Sequence, residues 1–338
     1  MKCPKQLPTA LPTRLVHVGS DDLDPSLYIS SPGAQGIYGA LSYCWGSGKQ
    51  PIMLTRSRLE SRSYAYPLAE LPPTLRDVIL ICRRLGFQYV WIDALCIVQD
   101  SVDAEDWKRE SANMANIYGN AALTIAAAAA KGTIDGILST PIPPTPLTCA
   151  LPYGLPDGEM GAVYVIPYPI RRSAYQEDGA SKEPLELRGW TLQEKLLSSR
   201  VLRYENKQMS WNCLSTKINS NGPLLDDTVP GDVSTETRHW QRTIEDFTGR
   251  NLTHNSDKLP ALSGYASYLH SKTPDTYLAG LWKRDLPAQL LWFVDSRKMI
   301  ASSRAKNYRA PSWSWYGYLG HKLTTSFKVC CSYVVEIL

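Results

Sequence analysis

The chain has 338 residues, 43% of them hydrophobic and 20% charged, a balance that supports one large core or two modest ones and argues against a disordered chain. Its formal net charge is +4 and no dense Lys/Arg run develops, which argues against nucleic acid as a partner. The longest apolar run, residues 121–130, is too short to span a bilayer.

Pro4, Pro8 and Pro12 interrupt the first residues before an apolar run forms, so no secretory signal is read there. Eight cysteines are scattered without paired zinc-ligand spacing, which predicts reduced thiols, a cytoplasmic location and no metal site.

In chain order, residues 1–36 read as an N-terminal arm. Residues 37–43 (IYGALSY) predict a short strand, and WGSGK predicts a turn in which glycine permits positive φ. Pro72 and Pro73 suit the first turn of a helix whose apolar stripe is Leu75, Val78, Ile79, Cys82 and Leu85, ending at Gly86. FQYVWI predicts the next strand and ends at Asp93. A second helix is expected from Ser101, with Asp103, Glu105 and Asp106 at its positive end and Trp107, Met114, Ile117 and Tyr118 inward.

ALTIAAA then predicts a third strand. Strands alternating with helices predict a parallel sheet with crossover helices, an α/β fold. Prolines cluster over residues 139–158, an expected insertion. MGAVYVIP behind it predicts a strand, and RVLRYENKQMSWNC a hairpin turning at Asn206. Residues 216–235 read as a linker to a mixed, more helical region, 236–338. There Trp240, Ile244 and Phe247 keep helical spacing, as do Leu259, Leu262, Ala266 and Leu269, and alternation over 327–337 predicts a strand.

Three blocks carry a family likeness: YGALSYCWG; the run from LPPTLRDVILICRRLGFQYVWIDALCIVQD through EDWKRESANMANIYGNAALTIAAA; and RGWTLQEKLLSSRVL. Together they resemble the fungal heterokaryon incompatibility (HET) domain, taken here as residues 37–215. DKLPALSGYA, YLAGLW and YRAPSWSW resemble the region that often follows it. The resemblance implies a role in cell death on fusion of unlike hyphae. It also implies a distant kinship suggested with TIR domains, some of which cleave NAD. Asn212 stands where the family pattern carries an acid.

In RGWTLQEKLLSSR, Glu194 falls on one helical stripe with Trp190, Gln193 and Leu197. A carboxylate on a core-facing stripe is either paired, for example with Arg188, or kept for chemistry. Asp93 closes a strand of an expected parallel sheet, where loops aim side chains at ligands; it could equally cap its own loop. Cys96 and Gln99 follow in that loop, Cys96 without a histidine in the motif. Gly46, Ser47, Gly48 and Lys49 lack P-loop spacing. Trp45 and Trp190 could stack on a planar ring or anchor the core.

Cleavage of an N-glycosidic bond needs a carboxylate beside an oxocarbenium-like ribose, aromatic surface for the leaving base, and restricted water. Glu194 as the charge-stabilising carboxylate and Asp93 orienting a hydroxyl or water meet that need, with Trp45, Trp190, Gln193, Arg188, Cys96 and Gln99 around a small-molecule ligand. NAD is then a substrate and no cofactor is required. Two alternatives stay open: a stand-alone enzyme of fungal secondary metabolism, such as a cyclase, hydrolase or isomerase, and a non-catalytic death-signalling module that forms a homo-oligomer.

Overall fold

The computed structural model describes residues 6–48, 52–62, 64–139, 149–154, 158–165, 182–206, 208–213, 216–219, 222–223, 234–294, 308–317 and 323–325. They divide into two units, Met1–Lys108, Ile117–Leu185 and Ser198–Leu225 in the first, and Arg109–Asn116, Glu186–Leu197 and Asp226–Leu338 in the second. Among the described residues no helix is long and apolar enough to cross a membrane.

The strands of the first unit are β1 (Thr9–Ala10), β2 (Arg14–His17), β3 (Ser26–Ile29), β4 (Gln35–Gly36), β5 (Tyr38–Ser42), β6 (Tyr89–Trp91), β7 (Leu123–Ala127), β8 (Cys149–Gly154), β9 (Met160–Val165), β10 (Arg200–Tyr204), β11 (Met209–Cys213), β12 (Thr216–Asn219) and β13 (Gly222–Pro223). Its helices are α1 (Arg56–Glu60), α2 (Pro73–Arg84), α3 (Asp93–Cys96) and α4 (Glu105–Asn120), of which Arg109–Asn116 belong to the second unit.

Nine strands form one mixed sheet in the order β13-β12-β11-β10-β7-β5-β6-β2-β3. The middle four, β10, β7, β5 and β6, run parallel. β5 and β7 are buried at every position, as strands covered on both faces must be. Antiparallel strands extend this block at both edges. The expected α/β order is therefore present, and the hairpin predicted at Asn206 is β10–β11.

Side-chain alternation on β5 sorts the two crossover helices. A Cβ at Gly39 would lie 3.5 Å from Cys82 Sγ, so α2 packs on that face. Burial pushes the Cys82 thiol up to about 12, which keeps it protonated and inert. On the other face Tyr38 donates to the Ile117 carbonyl of α4 at 2.7 Å, and the Trp91 and Tyr118 rings meet edge-on at 5.6 Å. α2 starts at a proline and closes at Leu85 before Gly86, whose φ is +78°. Leu85, counted in the apolar stripe, is exposed because it is the cap residue.

Three expectations change. The arm expected over residues 1–36 supplies β2 and β3 to the main sheet, with Leu15 and Val16 fully buried; these strands are too short to show a clear period in sequence. The polar stretch read as a linker begins with β12, paired to β11 through backbone bonds that its composition does not reveal. The Pro-rich insertion ends in β8, which pairs with β9. Residues 140–148 of the insertion, most of 216–235 and the strand expected over 327–337 lie outside the described residues.

The second unit contains α5 (Trp190–Leu197), α6 (Ser234–Thr248), α7 (Pro260–Lys272), α8 (Leu286–Gln289) and two hairpins, β14 (Tyr277–Leu278) with β15 (Leu281–Trp282) and β16 (Trp292–Val294) with β17 (Leu323–Thr325). Trp240, Ile244 and Phe247 of α6 and Leu262 and Ala266 of α7 fill its core with Trp282 and Trp315. Gly264 of α7 is closely packed: a Cβ there would fall 2.5 Å from the Ala115 Cβ and 2.8 Å from Gln193 Oε1.

Candidate functional site

Because β5, β6, β7 and β10 run parallel, the segments that follow them emerge at one edge of the sheet, the edge at which open α/β sheets gather ligands. Trp45 follows β5 and Asp93 follows β6, and the structure joins them: the Trp45 indole Nε1–H donates to Asp93 Oδ2 at 2.8 Å. Both residues are half-buried. Asp93 Oδ1 also accepts the Ala94 N–H at 2.6 Å, so the carboxylate bonds the backbone next to it and holds an aromatic ring at once.

The loop after β6 is pinned from below. Gln99 Nε2 donates to the Asp93 and Ile97 carbonyls at 3.2 and 3.0 Å, closing the loop on itself. Cys96 is fully buried, and its carbonyl accepts Arg14 Nε at 2.6 Å. Arg14 pairs with Asp106 at 2.5 Å, and Asp106 Oδ2 also accepts the Val98 N–H at 2.8 Å. Asp106 stands in the first turn of α4, as expected, and is buried there; its cation comes from β2. Nothing in the local pattern pairs residues so far apart in the chain.

The segments after β5 and β7 meet through glycine. A Cβ on Gly46 would lie 3.1 Å from the Gly132 Cα, and Gly46 has φ +88°, so the WGSG turn serves close backbone approach. Asp135 Oδ2 accepts the Lys131 and Gly132 N–H groups. Thr74 and Asp77 of α2 tie down the same loop, Thr74 Oγ1 donating to the Gly132 carbonyl and Asp77 Oδ2 accepting the Ile137 and Leu138 N–H groups. Lys49 lies outside the described residues.

At the end of β10, Glu205 Oε1 accepts Arg203 Nε at 2.9 Å and Ser210 Oγ at 3.1 Å, while Oε2 accepts Gln208 Nε2 at 3.1 Å. Glu205 also borders a small cavity of about 10 Å³ lined by Ala127, Ala130, Ile137, Tyr204 and Met209, room for about one water. Arg203 and Glu205 escaped the sequence reading. Their only signal was a pair of charges at the end of a β-rich run.

The remaining candidates belong to the second unit. Glu194 is 6% exposed on α5. Gln193 is buried and its Oε1 accepts the Gly264 N–H at 2.9 Å, so this side chain docks α5 on α7. Trp190 is half-buried, its Nε1–H directed at Asp257 Oδ2 at 3.4 Å. The Arg188 carbonyl accepts Arg250 NH1 at 3.2 Å, and Arg250 also pairs with Asp246 at 2.7 Å. The expected stripe is broader than drawn, since Thr191 and Leu192 are buried beside Gln193 and Glu194. Helical spacing alone understated how much of this eight-residue helix is enclosed.

Residues 38–194 match the family model described as Heterokaryon incompatibility protein (HET). No curated protein and no solved structure matches the chain.

Proposed function

From the premise that this chain is a heterokaryon incompatibility domain protein, we propose that its first unit binds a nucleotide-type ligand such as NAD at the carboxyl edge of the parallel strands and cleaves the N-glycosidic bond, as part of an incompatibility response in a fungal cell. The observation that carries this reading is the Trp45–Asp93 pair, a carboxylate locked against an indole where ligands of open sheets collect. Such a pair offers a negative charge for an oxocarbenium-like ribose and an aromatic surface for the departing base. In the reaction the C1′–N bond breaks, its electrons leave with nicotinamide, and water adds to C1′ with release of a proton.

Asp93 is the first unit's candidate for the stabilising charge; Glu194, expected in that role from the sequence, belongs to the second unit. Asp93→Asn keeps the side chain's shape and removes its charge; nicotinamide release should fall by about 100-fold. Glu194→Gln applies the same test to the second acid, and a smaller loss would assign it to packing. Release at the wild-type rate by both variants, with near-UV circular dichroism unchanged, would sink the reading.

A non-catalytic assembly role is the second reading, favoured by the β8–β9 hairpin, which exposes Leu151, Tyr153 and Met160. It predicts mass that rises with concentration in light scattering, and toxicity retained in Asp93→Asn.

A further inference from the structure

We infer that Gly132 is a positioning residue for Trp45: the loop after β7 is the fixed wall against which the loop after β5 is seated, and that seating keeps the indole on Asp93. This rests on the reading of Trp45 and Asp93 as the ligand edge, and it adds how that edge is held in shape.

Gly132 is buried and is not among the residues of positive φ, so its backbone conformation does not require glycine. Its surroundings do. A Cβ there would lie 3.0 Å from the Gly46 Cα, 3.5 Å from the Gly46 nitrogen and 3.6 Å from the Trp45 carbonyl oxygen. The first separation is tighter than nearly all Cβ contacts in proteins, so an added methyl group forces a displacement of a few tenths of an ångström.

The fastening of each loop decides which one yields. Behind Gly132, Thr74 of α2 donates through Oγ1 to the Gly132 carbonyl at 3.1 Å and through its N–H to the Thr133 carbonyl at 2.9 Å. Asp135 Oδ2 accepts the Lys131 and Gly132 N–H groups at 2.7 and 3.1 Å, and the buried Asp77 takes those of Ile137 and Leu138. Gly46 instead sits in a glycine turn, with φ +88° there and +114° at Gly48, where missing side chains make the backbone the softer partner. Displacing Gly46 moves Trp45 through a single peptide unit. The Trp45 Nε1–H meets Asp93 Oδ2 at 2.8 Å, a bond that weakens as it lengthens or tilts.

The experiment follows the Trp45 indole Nε1–H in the full chain by nitrogen–proton correlation NMR, its resonance identified by its loss in Trp45→Phe, together with NAD binding by titration calorimetry. In Gly132→Ala the resonance should move, its exchange with solvent should rise by roughly 10-fold, and NAD affinity should fall by roughly 3- to 10-fold. Asp135 is exposed, so Asp135→Ala slackens the wall without adding an atom to the core, and Trp45 exchange should rise by about twofold or more. Gly132→Ala/Asp135→Ala should recover part of the Gly132→Ala loss, because the loop after β7 can then yield in place of Gly46.

A Trp45 resonance and exchange rate equal to wild type in both single variants would overturn the inference, and so would strictly additive losses in the double variant, which would make Gly132 a packing residue only. Should Gly132→Ala not fold, unchanged Trp45 exchange in Asp135→Ala would overturn it by itself. A Trp45 response as expected, in a chain whose wild type binds no NAD, would uphold the positioning and remove the nucleotide reading alone.

Discussion

At Gly280 the backbone itself becomes a core group. Its carbonyl accepts two indole N–H groups, from Trp240 at 3.1 Å and Trp315 at 3.0 Å, which lie 40 and 35 residues away. Its φ is +99°, and a Cβ there would fall 2.6 Å from Trp315 Nε1. The residue satisfies two buried donors only because it lacks a side chain. Gly280→Ala should therefore cost about 2 kcal/mol or more, from left-handed strain and the displaced indole together; a urea midpoint close to wild type would refute the account. YLAGLW and YRAPSWSW were visible as motifs, and so were their tryptophans. That the two indoles share one carbonyl was not, because no local pattern encodes a meeting across such separations. The same limit hid Arg203 and Glu205, while Asp93 stood out because it ends an apolar strand.

Among the elements, β5, α2, β6, α4 and β7 were legible in order. Their apolar runs are long and are punctuated by Pro72, Pro73 and Gly86, so period and breaker agree. β2 and β3 were not. Each has four residues, too few for alternation to rise above its neighbours. Yet β2 carries Arg14, whose pairing with Asp106 and bond to the Cys96 carbonyl fasten the loop that presents Asp93. Removing the cation leaves Asp106 buried without it, a change that typically costs 3–5 kcal/mol. Arg14→Met should lower stability by about that much, and hydrogen exchange should rise first in the amides of residues 96–98. Replacing both partners, Arg14→Met with Asp106→Leu, should recover most of the loss. A single variant as stable as wild type would mean the loop is held by something else.

On the scale of the whole molecule, pH reports how the second unit is closed. Lys258 is 7% exposed, and burial, with Arg309 as a second contribution, lowers its amine from 10.5 to about 8. The folded chain thus binds that proton more weakly than the unfolded chain. Between about 8 and 10.5 the unfolded state carries the extra proton, so stability from this group rises with pH across that window and is flat and lowest below it. The full difference is roughly 3 kcal/mol. Lys258→Met should be more stable than wild type at neutral pH, with its advantage fading as pH approaches 10.5 in denaturant titrations; a constant gap would refute the assignment. What the sequence by itself determined was the alternation of strand and helix and the prominence of Asp93, Trp45 and Glu194, because these follow from spacing within short windows, together with the family likeness that its three blocks carry. Only the tertiary structure decided that Trp45 reaches Asp93, that Gln193 is used to dock a helix, that Arg14 pairs with Asp106, that Arg203 pairs with Glu205, and that Gly280 accepts two indoles. Those outcomes depend on which distant strands and helices become neighbours, and the contacts that select neighbours form only when the whole core is buried at once.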